Sequence, residues 1–316
     1  MPKVNAVFKG GGVKGIAHVG ALAAVEAKGF TCGAVAGTSA GAITAALVAA
    51  GFSAQELKPV LFGLDFNKFK DGHFHIISLL RKEGLYKGQY VIDWLEDLFM
   101  KKTGKQLARF SDLEEQFGIE LRVVATDVTR MRKLVFPDDL ADYGFSDPTS
   151  FPVSHAVRAS MSIPFYFEPY ELVCPDGSTS TLVDGGMLSN FPISLFDPGA
   201  ATPQFPTFGF ALGGTDESVR LKTDTVEDLA KALVSTVLEA GDHDSLLHQN
   251  FERSIDIPTG NIGTTEFNLT EEQKEWLYNS GYQAAAAFLA DAAVQNWLAG
   301  FAEVAAEAEA AAGREP

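Results

Sequence analysis

The chain has 316 residues, 46% hydrophobic and 21% charged, a balance that belongs to a packed globular protein and excludes a disordered tail or a coiled coil. Forty-one acids against 25 bases leave a net charge of −16, whose field repels nucleic-acid phosphates and gives no long-range pull toward anionic lipid. No nucleic-acid partner is expected.

Met1-Pro2-Lys3 lacks the basic patch and apolar run of a signal peptide, and Val4 to Phe8 is too short to supply one. The expected location is cytoplasmic, with peripheral membrane contact left open. Cys32 and Cys174 form no metal spacing and no disulfide framework, so both are read as buried free thiols. Gly29 to Gln55 carries no charge over a bilayer-spanning length. Its glycines and alanines would insert poorly, so a buried strand, turn and helix is expected instead of a transmembrane helix.

In chain order, Val4 to Phe8 reads as a buried strand, Gly10-Gly11-Gly12 breaks it, and Ile16 to Ala27 reads as a helix. Val35 and Ala36 lead into Gly37-Thr38-Ser39-Ala40-Gly41, and the alanine-rich run to Ala50 ends at Gly51, a helix stop. Strand, turn and helix thus occur twice within about fifty residues, the pattern of a parallel sheet with crossover helices. Ser53-x-x-Glu56, Ser111-x-x-Glu114 and Thr270-x-x-Gln273 fit capping boxes and predict helix starts. Strands are predicted over Glu120 to Ala125, Lys133 to Phe136, Tyr170 to Cys174, Thr181 to Val183, Thr207 to Leu212 and Ser254 to Ile257. Val226, Leu229, Leu233 and Val237 recur at helical spacing, with Gly241 ending the run. Interleaved strands and helices give one α/β domain over residues 1–302, followed by an acidic, alanine-rich tail, 303–316, read as frayed or disordered. Lys58 to Lys105 holds nine Lys/Arg against six Asp/Glu together with Phe62, Phe66, Phe69 and Phe74. That segment reads either as an interface or lid, or as core phenylalanines with solvated lysines.

Gly37-x-Ser39-x-Gly41 fits a nucleophile elbow. A serine in a sharp strand-to-helix turn takes a strained backbone conformation, and flanking glycines remove the side chains that would clash there. The helix behind it supplies amide donors and positive potential. The motif is short, but it follows an apolar strand and opens an alanine-rich helix, as this chemistry requires. Gly10-Gly11-Gly12-Val13-Lys14-Gly15 matches the dinucleotide pattern through Gly10, Gly12 and Gly15, yet Val35, Ala36 and Gly37 stand where an acid should hold ribose. No Lys-Ser/Thr follows Gly15, so a P-loop also fails. What remains is a turn whose bare amides suit an oxyanion, or a tight turn and nothing more.

An activated serine needs a base. His18, His73, His75, His155, His243 and His248 are available, and Ser39, Asp184, His243 would keep the α/β-hydrolase order. That fold usually places several strands before its elbow; here one precedes it. His18, among apolar neighbours, reads as a core histidine. Asp184, ending the run Thr181-Leu182-Val183 and followed by Gly185-Gly186, could accept the serine proton directly if burial raises its pKa. An ordinary Asp-Gly turn is the plain alternative.

Four separated blocks resemble the signature of the patatin-like phospholipases. Gly10 to Gly15 looks like the family's glycine-rich oxyanion loop, with Lys14 where an Arg or Lys is expected. Ser39 between Gly37 and Gly41 matches the nucleophile, and Asp184-Gly185-Gly186 matches the Asp-Gly-Gly/Ala motif. Ala159-Ser160-Met161-Ser162-Ile163-Pro164 through Pro169 is similar to the family's Ala-Ser-x-x-x-Pro segment. The likeness covers about residues 4 to 190, and Phe267 to Leu289 looks like the family's closing helix.

The resemblance implies a three-layer α/β/α sandwich with a mostly parallel central sheet and a Ser39–Asp184 dyad without histidine. It also implies an oxyanion hole at Gly10, Gly11 and Gly12, and neither metal nor cofactor. The expected activity is acyl-ester hydrolysis on lipid, of phospholipase A or lysophospholipase type, at a membrane or micelle surface. Acyl transfer by the same serine, a neutral-lipid or small-ester esterase, and a non-catalytic scaffold are the alternatives.

Overall fold

The computed structural model describes residues 1–69, 86–197, 204–213, 221–240 and 253–301. His73, Phe74, His75, Gly241, His243, His248 and the tail 303–316 lie outside the described residues.

Eight strands form one sheet among the described residues. They are β1 (Lys3–Phe8), β2 (Thr31–Thr38), β3 (Glu120–Asp127), β4 (Arg132–Phe136), β5 (Tyr170–Val173), β6 (Thr179–Asp184), β7 (Thr207–Leu212) and β8 (Ser254–Ile257). The order is β5-β6-β3-β2-β1-β7-β8, with β4 also paired to β3. β3, β2, β1, β7 and β8 run parallel, and β4, β5 and β6 add antiparallel pairings at one side. The parallel strands are apolar nearly throughout because both faces are covered. Val4, Ala6 and Phe8 enter the main core under α1 (Ile16–Ala27) and α2 (Ala40–Ala49), while Val7, Ala36 and Ala211 meet Phe191 and Ile193 on the opposite face. The uncharged stretch from Gly29 to Gln55 is a buried strand, turn and helix. No described helix is long and apolar enough to cross a membrane.

β3 changes partner along one edge. Thr38, the last residue of β2, pairs with Val124, and Asp184, the last of β6, pairs with Ala125. β4 occupies Val123 to Asp127 from the other side, so β2 and β6 must share the remaining edge, end to end. The residue after Thr38 and the residue that ends β6 are thereby brought together.

Helix starts follow local hydrogen bonding. Ser53 and Glu56 form a reciprocal cap for α3 (Ala54–Phe62), and Thr270 and Gln273 do the same for the long helix Glu271–Ala290. The box expected at Ser111 is displaced. The helix after α4 (Gln89–Thr103) is α5 (Phe110–Phe117), which begins at Arg109, whose amide donates to the Asp112 carboxylate at 2.9 Å; Ser111 is already inside it. Phe66 and Phe69 are buried, Phe69 against Tyr90 and Trp94 of α4, so for these two the core reading holds.

Gly41 sets how closely α2 can approach β1. A Cβ there would stand 2.1 Å from the Phe8 carbonyl oxygen. Gly41→Ala is therefore expected to lower stability by about 2–3 kcal/mol, as overpacking against rigid backbone does, read as a drop in the thermal unfolding midpoint. A midpoint equal to wild type would contradict that contact.

Candidate active site

Ser39 stands between β2 and α2 with φ 54° and ψ −124°. A serine in this region is strained by roughly 1–3 kcal/mol and persists only where its surroundings hold it. The turn leaves Ser39 buried at the N-terminus of α2, where unpaired helix amides make the potential positive.

Asp184 is also buried and lines the same pocket as Ser39. Its Oδ1 accepts a 2.8 Å hydrogen bond from the Gly186 amide, and Oδ2 has no partner in hydrogen-bonding geometry. Burial pushes its pKa up to about 6, against the pull of the Ser39 hydroxyl and the Gly186 amide toward the ionised form. Gly185 lets this loop lie on β3, since a Cβ there would meet the Val124 carbonyl oxygen at 2.2 Å.

Gly10 and Gly11 line the pocket with Ser39 and Asp184. The Gly10 amide, however, donates to the Asn190 carbonyl at 3.0 Å, so it ties two loops together and is not aimed at a ligand. This corrects the expectation that Gly10 shares in an oxyanion hole. Gly12 takes φ 56° and backs onto the Thr264 carbonyl, and Gly15 packs beside Ala40. Lys14 is buried and also lines the pocket. Gly37 and Gly41 lie at the β2–α2 crossing, and Gly186 lies against Leu238 and Asn190.

Neither described histidine lines the pocket. His18 is fully buried beside Phe8, and burial drives its pKa down to about 3, so the ring is neutral. His155 sits 3.0 Å from the Tyr170 hydroxyl, away from the pocket lining.

Three contributors were not singled out from the sequence. Lys9, just before the glycine turn, is buried and donates to the Leu212 carbonyl at 2.9 Å. Asn190 holds Gly10 through its carbonyl and donates from its side chain to the Leu238 carbonyl at 2.8 Å. Ser160, inside the Ala159-to-Pro169 block, accepts from the Ser39 amide. Only Ser160 had a sequence signal, its place in that block; Lys9 and Asn190 reach the site through strand order and loop packing.

The patatin-like phospholipase family model matches residues 6–197, a span that contains the serine turn, the aspartate loop and the glycine turn. The chain belongs to the patatin-like phospholipase family. Membership places this patatin-like protein among lipid acyl hydrolases. It is 37% identical over 295 residues to the uncharacterized protein YqhO of Bacillus subtilis, covering 90% of this chain and 98% of that one. It is 26% identical to the lysophospholipase NTE1 of Candida glabrata over 60% of this chain, which is 9% of that much longer protein. The crystal structure of VipD from Legionella pneumophila superposes with a TM-score of 0.56 at 20% identity, over 90% of this chain and 66% of VipD. The type III effector ExoU gives 0.51 at 17% identity, over 92% and 53%. The chain thus spans slightly under two thirds of VipD and about half of ExoU, and these likenesses establish the patatin-like fold.

Proposed function

We propose that this protein hydrolyses acyl esters of phospholipid or lysophospholipid type with Ser39 as nucleophile and Asp184 as its general base. The observation that carries the reading is the meeting of β2 and β6 on one edge of β3, which puts both residues in one pocket beside the glycine turn. Ser39 Oγ attacks the ester carbonyl while Asp184 takes its proton; the tetrahedral oxyanion is received by the Gly11 and Gly12 amides and the N-terminus of α2. Collapse expels the alcohol, which leaves with the proton from Asp184. Water, deprotonated by the same carboxylate, then attacks the acyl-serine ester; the C–Oγ bond breaks, Ser39 recovers the proton from Asp184, and the fatty acid is released. A carboxyl whose pKa is pushed up to about 6 is ionised at neutral pH yet basic enough to accept a proton. The open geometry at Oδ2 agrees with a dyad that tightens when substrate arrives.

The pocket has a cavity volume of about 30 Å³, room for more than one water molecule. Ile163, Leu212 and Leu238 make its wall partly apolar.

A lipid surface as the working environment is supported by helix α7 (Val226–Ala240), which comes after α6 (Val153–Ser160) and the single-turn helix Gly186–Ser189. The periodic residues Val226, Leu229, Leu233 and Val237 are 39–88% exposed, while Ala232 and Val234 face inward and Leu238 lines the pocket. Exposed Leu188 follows the Asp184 loop and exposed Phe165 precedes Tyr166, over whose ring Lys231 of α7 reaches. An exposed apolar helix face on the helix whose Leu238 lines the pocket suits insertion into a bilayer surface. With a net charge of −16, binding to phosphatidylcholine vesicles is expected to persist from about 0.1 to 0.5 M salt, where charge-driven binding would fade. Glutamate at both Leu229 and Leu233 is expected to weaken it by about 100-fold and to leave hydrolysis of a short soluble ester unchanged. Vesicle sedimentation reads both, and salt-sensitive binding would reject apolar insertion.

The central test is labelling by a fluorophosphonate and release of fatty acid from lysophospholipid, both absent in Ser39→Ala.

A further inference from the structure

Residues 160–162 touch both loops of the proposed dyad from beneath. The Ser160 hydroxyl accepts a hydrogen bond from the Ser39 amide at 2.8 Å and donates to the Val124 carbonyl of β3 at 2.6 Å. The backbone of the same segment serves the other loop. The Ser162 carbonyl accepts from the Asp184 amide at 2.9 Å, and the Ser160 carbonyl accepts from the Gly185 amide at 3.3 Å. Both serines are fully buried, so water cannot replace these partners, and a buried amide without an acceptor is costly.

The segment is itself anchored. Arg158 on α6 donates to the Ser162 hydroxyl, to the Lys87 carbonyl and to the Glu168 carbonyl, and so pins the turn after α6 to its neighbours.

We infer that Ser160 is a positioning residue: its hydroxyl holds the Ser39 backbone in the strained turn and, through the shared strap 160–162, sets the separation of Ser39 from Asp184. The inference rests on the Ser39–Asp184 reading and adds to it a group that touches neither substrate nor the reacting atoms. The reason it takes a hydroxyl is that one atom must accept from Ser39 and donate to β3 at once. Alanine can do neither.

Removing the hydroxyl frees the Ser39 amide and lets the turn relax away from Asp184. A displacement of about 1 Å at a reacting group costs up to about 100-fold in rate. Ser160→Ala in the full chain is therefore expected to lower kcat for p-nitrophenyl butyrate by about 10–100-fold, with KM within about 2-fold of wild type. The acid limb of the kcat/KM profile should also move to higher pH, because the Ser39 hydroxyl is one of the groups that hold the Asp184 pKa down. The charged groups that line the same pocket are Lys9 and Lys14. Neither of them is altered by the substitution.

Thr207→Val is the control. It removes a buried hydroxyl at the start of β7 that accepts from the Asn5 side chain and lies outside the pocket lining, so it should lower the unfolding midpoint and leave the acid limb in place. If Ser160→Ala does not fold, Ser160→Thr and Ser160→Val, equal in volume and differing in the hydroxyl, make the same comparison. The threonine enzyme should keep the wild-type limb, and the valine enzyme should lose rate and shift it. An unchanged kcat and limb in folded Ser160→Ala, or identical behaviour of threonine and valine, overturns the inference. The dyad reading fails separately, by activity in Ser39→Ala or Asp184→Asn.

Discussion

Ser39→Ala is expected to abolish hydrolysis of both lysophospholipid and soluble acyl esters, with a loss of at least ~10⁴-fold in kcat. Asp184→Asn should fall by ~10³-fold or more, since an amide accepts no proton from the serine. The folded state is expected to survive both. Ser39 Oγ bonds no other described residue in hydrogen-bonding geometry, and asparagine at 184 keeps an oxygen to accept from the Gly186 amide. For the wild type, kcat/KM should rise with pH through an apparent pKa near 6, where the buried carboxyl ionises. Fatty-acid release measured from pH 4 to 9, beside thermal unfolding of each variant, checks all three outcomes. Full turnover in either variant would remove the proposed dyad.

Asp184→Asn is expected to be the more stable protein at pH 8. Burial raises the Asp184 pKa from its ordinary 3.8 to about 6 in the folded state, while the unfolded chain keeps the lower value. Below about pH 3 the carboxyl is protonated in both states and contributes nothing. As pH rises from about 4 to 6 the unfolded chain ionises first and stability drains away, reaching a cost of about 3 kcal/mol above pH 6. Asparagine carries no such cost. The variant should therefore match wild type at pH 3 and exceed it by up to about 3 kcal/mol at pH 8, as denaturant unfolding at the two pH values would show. A variant less stable than wild type at pH 8 would mean that the carboxylate is better compensated than its burial implies. The prediction also separates chemistry from folding, because the less active enzyme would be the more stable one.

The helical run from Val226 to Val237 was legible as a period and not as a burial pattern. Spacing of 3 and 4 residues places four apolar side chains on one face, and the helix forms there. Periodicity says which residues share a face; it does not say whether the rest of the molecule covers that face. The helix start at Arg109 instead of Ser111 has a similar origin. Both Asp112 and Glu114 can reach back to an amide, and packing of Phe110 and Leu113 into the core chooses between them.

At the site, the residue types alone determined that a hydroxyl stands in a glycine-flanked turn between strand and helix, that an aspartate ends a later strand before two glycines, and that bare amides follow the first strand. These are local facts, set by which side chains a tight turn tolerates. Tertiary structure alone decided that β3 exchanges β2 for β6 along one edge, which makes distant Ser39 and Asp184 neighbours. It also committed the Gly10 amide to Asn190 and fastened the Ser39 amide to Ser160. Hydrogen-bond partners, and the desolvation that lifts the Asp184 pKa, depend on what packs around a group, and those neighbours come from everywhere in the chain.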